Sequence, residues 1–362
     1  MSKAKTFLTW ATLAGLIALN YGFNNLVVRL NGLPLPIGHL LGGAALLIGA
    51  WEIRGRIREY IREPLVLAWF ALLAFSLIHL LWDLSRFGLW AWRDASFVFE
   101  GVFLFLGFSW AATRQEEERF VRLLTVVLLL NLAYSLTYSL QDELAALTPM
   151  EGAFRRVSLL GHYSNQGFWL ITGALFFLVL RERSGARWRG PLLLGALVQA
   201  GWSFLFQARS AYLGILLIVA VWWLFRGWRA GVRLTGFFAA SFVVFLLVAQ
   251  LLSAFGMPLQ GRIGPVTPDF YFRHLSSVWI AIVQPSPADV PAQPSPADVP
   301  ALGSARWRFD VWRQALAHWL ATPTTMVVGE GFGQPLIDFQ IAGGVVVRQP
   351  HNTHLTVLAR LG

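Results

Sequence analysis

The groups in this chain best suited to chemistry are one histidine and a set of arginines, and they lie far apart in sequence. His351 follows Pro350 in Arg348-Gln349-Pro350-His351-Asn352, and His354 comes three residues later. A neutral imidazole at a membrane rim can take a proton from a hydroxyl near neutral pH. The same residue could equally be an interfacial or packing histidine. Histidines at this spacing can bind a metal, but no nearby carboxylate completes a ligand set, so no metal or other cofactor is expected. Asn352, beside His351, is a candidate substrate contact. Arg306, Arg308 and Arg313 lie on or just before a stretch with helical spacing, and Arg308 can share a face with Trp312. The planar fork of arginine suits a diphosphate better than lysine does; a solvated charge face is the alternative for one or two of the three. Arg209 stands in Phe206-Gln207-Ala208-Arg209-Ser210, between two apolar runs with almost no loop. There it either binds a phosphate or anchors the turn at the interface by snorkelling. Gln207 adds polarity to that turn. His162, in Leu160-Gly161-His162-Tyr163-Ser164-Asn165, either orients a sugar or caps the helix that follows.

These groups must be positioned by a strongly apolar chain. Of 362 residues, 56% are hydrophobic and only 13% charged, too few charges for a water-facing surface. The formal net charge of +10 does not indicate nucleic acid, because the arginines are spread over short loops and not gathered in one basic groove. They suit topology signals and lipid head-group contacts instead. With no cysteine, disulfides, thiolate catalysis and Cys-ligated metals are excluded. Apolar runs occupy about 7–24, 35–51, 65–82, 95–112, 120–140, 163–180, 191–206, 210–226 and 234–252, and another begins near 350. The expectation is an all-α polytopic membrane protein with about ten transmembrane segments, nine complete plus the start of a tenth. Glu100 is the one clear acidic residue near a span interior.

Arginine-rich loops after the second, fourth, sixth and eighth runs, with Lys3 and Lys5 before the first, place the N-terminus in the cytoplasm. The division expected is a bundle over 1–252, an outer, periplasmic loop over 253–349 and the start of a further span over 350–362. Within the loop, Gln-Pro-Ser-Pro-Ala-Asp-Val-Pro-Ala occurs twice in tandem, filling 284–301. That much proline predicts an extended spacer. Trp307, Val311, Ala315 and Trp319 recur every four residues, predicting an amphipathic helix over 306–320 that ends before Pro323. Val328-Gly329-Glu330-Gly331-Phe332-Gly333 lacks the strand and helix of a phosphate loop, so its glycines are read as permitting a tight turn and close backbone approach. Arginines and a histidine on the outer face suit a substrate bearing a diphosphate and a sugar, its lipid tail between helices.

Ser304-Ala305-Arg306-Trp307-Arg308, Trp312, Gly329-Glu330-Gly331-Phe332-Gly333 and Pro350-His351-Asn352 occur in this order, after Gln207-Ala208-Arg209-Ser210. Together with the multi-span layout, this combination resembles the superfamily of O-antigen ligases and O-antigen polymerases. The resemblance implies a bacterial inner-membrane glycosyltransferase with a periplasmic site. It further implies an undecaprenyl-diphosphate-linked glycan donor and an acceptor that is lipid A-core for a ligase. For an O-antigen or exopolysaccharide polymerase, the acceptor would be a lipid-linked repeat unit. On this likeness Arg209 and Arg308 bind the donor diphosphate, with Arg306 as the substitute for Arg308, and His351 activates the acceptor hydroxyl. Full family members carry about twelve spans, whereas 11 residues follow His351 here, so a C-terminally truncated chain is expected. A transporter, which would need ionisable residues deep in several spans, and a membrane scaffold are the rival classes.

Overall fold

The computed structural model describes residues 3–30, 33–152, 156–283, 311–337, 339–341, 345–347 and 353–362. The Pro-rich repeat, Arg306, Arg308, His351 and Asn352 lie outside the described residues. Within them the fold is all-α, with three small antiparallel hairpins between helices. These pair Val27–Leu30 with Leu33–Pro36, Pro149–Glu151 with Arg156–Ser158, and Phe339–Ile341 with Val345–Val347.

Among the described residues, five helices are long and apolar enough to cross a membrane: Lys3–Asn24, Pro64–Phe87, Leu89–Ala111, Arg114–Leu147 and Trp228–Ala254. The chain is a multi-pass membrane protein with five candidate spans, and the expectation of about ten is corrected. Helices also occupy the other apolar runs, but length and polarity set them apart. Ile37–Glu52 has 16 residues. At about 1.5 Å per residue it falls short of a hydrocarbon core roughly 30 Å thick. Ala211–Arg226 is short in the same way. Asn165–Arg183 ends on Arg181 and Arg183, and Ala186–Ser203 contains Pro191. That pair packs closely: a Cβ at Gly173 would run into the Gln199 amide, and one at Gly195 would lie 2.9 Å from the Phe177 ring. Leu170, Ile171, Ala174, Ala196 and Ala200 are buried along the two helices, so their apolar residues answer to protein neighbours. The run after Pro350 forms Thr353–Leu361, nine residues in which the charged Arg360 is fully buried. On the qualifying helices large apolar side chains face outward, as they also do on the shorter Ile37–Glu52 and Ala211–Arg226. Ile78 is 69% exposed and Leu81 is 73% exposed, which suits hydrocarbon and not water.

The chain forms two compact units, Met1–Ile53 with Leu106–Phe272, and Arg54–Phe105 with Arg273–Gly362. The core of the first unit gathers Leu170, Phe204, Phe206, Phe238, Phe245 and Tyr271. Lys5, one of the cations that orient the chain in the sequence reading, is fully buried there. Its Nζ pairs with Glu52, lies 3.7 Å from Glu116 and sits 4.7 Å from the Trp110 ring centre. The second unit centres on Leu80, Ala91, Ala95, Val98, Phe332 and Leu361. Residues 311–319 are helical in this unit; Val311 and Ala315 are buried with Ile337, and Arg313 is exposed. Glu100, the acidic residue singled out near a span interior, is exposed.

Candidate functional site

The turn that leads into Arg209 is fixed through several backbone carbonyls and the Gln207 side chain. Ala186–Ser203 tightens into a 3-10 turn at Phe204–Phe206, and Gln207 then takes left-handed backbone angles, with φ at +48°. Few side chains tolerate that region without compensation. Here the compensation is the Gln207 amide itself, which is fully buried. Its Oε1 accepts from the Ile263 and Gly264 amides at 2.6 and 2.9 Å, and its Nε2 donates to the Gly264 carbonyl at 2.9 Å. Gly261 lets this close approach happen, since a Cβ there would strike the Gln207 amide. Tyr271 Oη donates to the Phe204 carbonyl at 2.7 Å, and the Arg262 amide donates to the Leu205 carbonyl at 3.2 Å.

The next helix begins at Arg209 and runs to Arg226. Its N-terminus is a positive dipole end, favourable to an anion, with the Ala211 and Tyr212 amides turned back to the Ala208 carbonyl. The same clasp brings in a second arginine. Arg262 is exposed, its backbone is bonded into the turn, and its charge acts on the Tyr138 phenol. The sequence reading did not single out Arg262; a lone arginine in a loop carries no local signal.

His162 joins the same neighbourhood through Phe206. Its ring stacks on Tyr134 at 4.5 Å between centroids, lies 5.4 Å from Tyr138 and 6.3 Å from Phe206. Nδ1 bonds Gln166 Oε1 at 2.9 Å, and Nε2 bonds Thr137 Oγ1 at 3.2 Å. Burial outweighs these bonds and holds its pKa below the ordinary histidine value, so the ring is neutral at pH 7. His162 makes no cap hydrogen bond to the helix that follows it; the cap position is Ser164. Thus Gln207, the helix start at Arg209, His162 and the unforeseen Arg262 share one region of the first unit.

The second unit contains a different construction. Gly329, Gly331 and Gly333 all have φ between 75° and 91°. A Cβ at each would strike Arg360, Asp83 and Phe87 respectively. The glycines therefore serve a tight turn and close backbone approach. Between them Phe332 is fully buried against His79 and Phe97. Asp83 Oδ2 accepts from the Phe332 amide at 2.7 Å, and Asp94 Oδ2 accepts from the Gly333 amide at 3.1 Å. Arg360 pairs with Asp94 at 2.7 Å and donates to the carbonyls of Gly331 at 2.7 Å and Gln334 at 3.0 Å. This network anchors Thr353–Leu361, the helix that follows His351-Asn352 in sequence. Asp83, Asp94 and Arg360 were missed, although charged residues within apolar runs are a recognisable flag for pairing or function. Arg313 is in this unit too, on the exposed side of its helix.

A family model described as O-antigen ligase matches residues 203–362. That stretch contains the Gln207 clasp, the Arg209 helix start and the glycine turn. No curated protein and no solved structure matches the chain.

Proposed function

Because residues 203–362 belong to the O-antigen ligase family, whose members are glycan-transfer enzymes acting on lipid-linked glycans, we propose that this protein transfers a glycan from undecaprenyl diphosphate to a lipid A-core hydroxyl. The reaction would take place on the periplasmic face of the bacterial inner membrane. The observation that carries this reading is the clasped turn at 204–208, inside the family match, which leads into the helix start at Arg209 and is bonded to the Arg262 backbone. Arginines in the neighbourhood of a helix N-terminus suit a diphosphate leaving group.

In the proposed reaction Arg209 and Arg308 hold the donor diphosphate, and Arg306 and Arg313 supply further positive charge. His351 accepts the proton of the acceptor hydroxyl as that oxygen attacks the anomeric carbon. The bond from that carbon to the diphosphate oxygen breaks, the configuration inverts, and undecaprenyl diphosphate leaves with the bonding electrons. The arginines neutralise the charge that develops on it, a role that calls for neither nucleotide nor metal. Asn352 contacts substrate beside His351. Gln207 and His162, whose polar groups are bonded within the protein, act as positioning residues.

Transfer would be measured with the full-length protein and carrier-linked glycan, supplying lipid A-core or unextended carrier-linked units separately. The expected product is glycosylated lipid A-core, reduced at least about a hundredfold in His351→Ala, the lower range for loss of a general base. Longer carrier-linked chains instead would make the protein a polymerase. No product with either acceptor would reject glycan transfer.

A further inference from the structure

The first unit carries an open groove of about 520 Å³ between the chain's first helix and the helix Arg114–Ser135. Its two walls repeat one pattern. Lys3, Thr6, Phe7 and Trp10 stand at i, i+3, i+4 and i+7, and so do Arg119, Arg122, Leu123 and Val126. That spacing puts each set on a single helix face. On both walls the charged or polar residues come first and the apolar ones follow, over about 10 Å of helix rise. Both helices begin candidate membrane spans. The groove therefore grades from cationic to apolar in the direction a bilayer grades from head group to acyl chain.

Among the described residues, carboxylates balance the charge of the groove only in part. Glu116 serves both Arg119, at 3.2 Å, and the buried Lys5. Glu118 is held by Arg114 at 3.2 Å, and Glu117 lies 3.9 Å from Arg183. Among the described residues, Arg122 donates to the Glu118 backbone carbonyl and has no carboxylate partner, and neither has Lys3. Lys3, the first residue of its helix, also opposes that helix's dipole, so an anion would relieve both effects. At the other end Phe7 is 63% exposed and Val126 48% exposed.

We propose that this groove binds one anionic phospholipid. The lipid phosphate lies at Lys3, Arg119 and Arg122, and an acyl chain runs along Phe7, Trp10, Leu123 and Val126. A free phosphate would leave the apolar end uncovered, and a zwitterionic lipid would leave the cations unbalanced. The inference is independent of the glycan-transfer reading, since none of these residues belongs to that site.

Native mass spectrometry of the whole protein, released from detergent, tests it with three probes: phosphatidylglycerol, phosphatidylcholine of the same acyl chains, and glycerol phosphate. Phosphatidylglycerol should be retained at least tenfold more strongly than phosphatidylcholine, and glycerol phosphate should not compete. Lys3→Gln with Arg122→Gln should weaken phosphatidylglycerol on the order of thirtyfold, about fivefold per cation. Val126→Trp, which fills the apolar end while keeping every charge, should also weaken it, and both changes are at exposed positions that leave the core intact. Equal retention of the two lipids, competition by glycerol phosphate, or wild-type retention in both variants would overturn the proposal.

Discussion

Gln207 shows how one side chain can matter for reasons a sequence hides. Its composition suggested extra polarity at the membrane rim; in the structure its amide is spent on Ile263 and Gly264, and it holds the turn from which Arg209 starts a helix. His162 is similar, with both ring nitrogens bonded and the ring stacked on Tyr134. Burial holds its pKa below the ordinary histidine value. Such a group stabilises the native state above its unfolded pKa, and that contribution is lost as pH falls through the folded value, because the unfolded chain binds the proton more readily. Thermal stability should accordingly drop below about pH 6.5, and this slope should flatten in His162→Gln. An unchanged slope in that variant would show that other groups govern the acid sensitivity.

At the scale of elements, the helix Thr353–Leu361 is held by a charged pair and not by apolar packing alone. Arg360 and Asp94 are 0% and 1% exposed, and the same Asp94 oxygen also takes the Gly333 amide. Removing one member strands the other's charge, which costs roughly 3–5 kcal/mol when the pair is buried. Asp94→Leu should lower the melting temperature in detergent sharply, and adding Arg360→Met should recover much of the loss. If the single change were neutral, the pair would be structurally idle. The glycine turn belongs to the same construction, since Gly331 at φ +75° leaves room for Asp83.

For the whole molecule, five candidate spans replace the ten expected, because an apolar run fixes neither the length of the helix it forms nor whether lipid or protein covers it. Pro64–Phe87 is the clearest span, with 24 residues, or about 36 Å. The chain has no cysteine, so single introduced thiols report without background. Arg62→Cys and Leu89→Cys flank this helix and should react with an impermeant maleimide from opposite sides of the membrane. Labelling of both from one side would remove Pro64–Phe87 from the spans.

By itself the sequence determined that the chain is helical and apolar, roughly where the helices lie, and that its second half resembles the O-antigen ligase family in ordered motifs. These follow from hydropathy, helical spacing and short patterns, all properties of residues near one another in the chain. The reading of Gly329, Gly331 and Gly333 as a tight turn was legible for the same reason, because only glycine reaches that backbone region cheaply. Only the tertiary structure decided the span count, the structural work of Gln207, the arrival of Arg262 beside the Arg209 turn, and the pairing of Asp94 with Arg360. Gln207 meets Gly264 across 57 positions, and Arg360 meets Asp94 across 266. A buried polar group is satisfied by whatever the fold brings to it, and over such distances no local pattern names the partner.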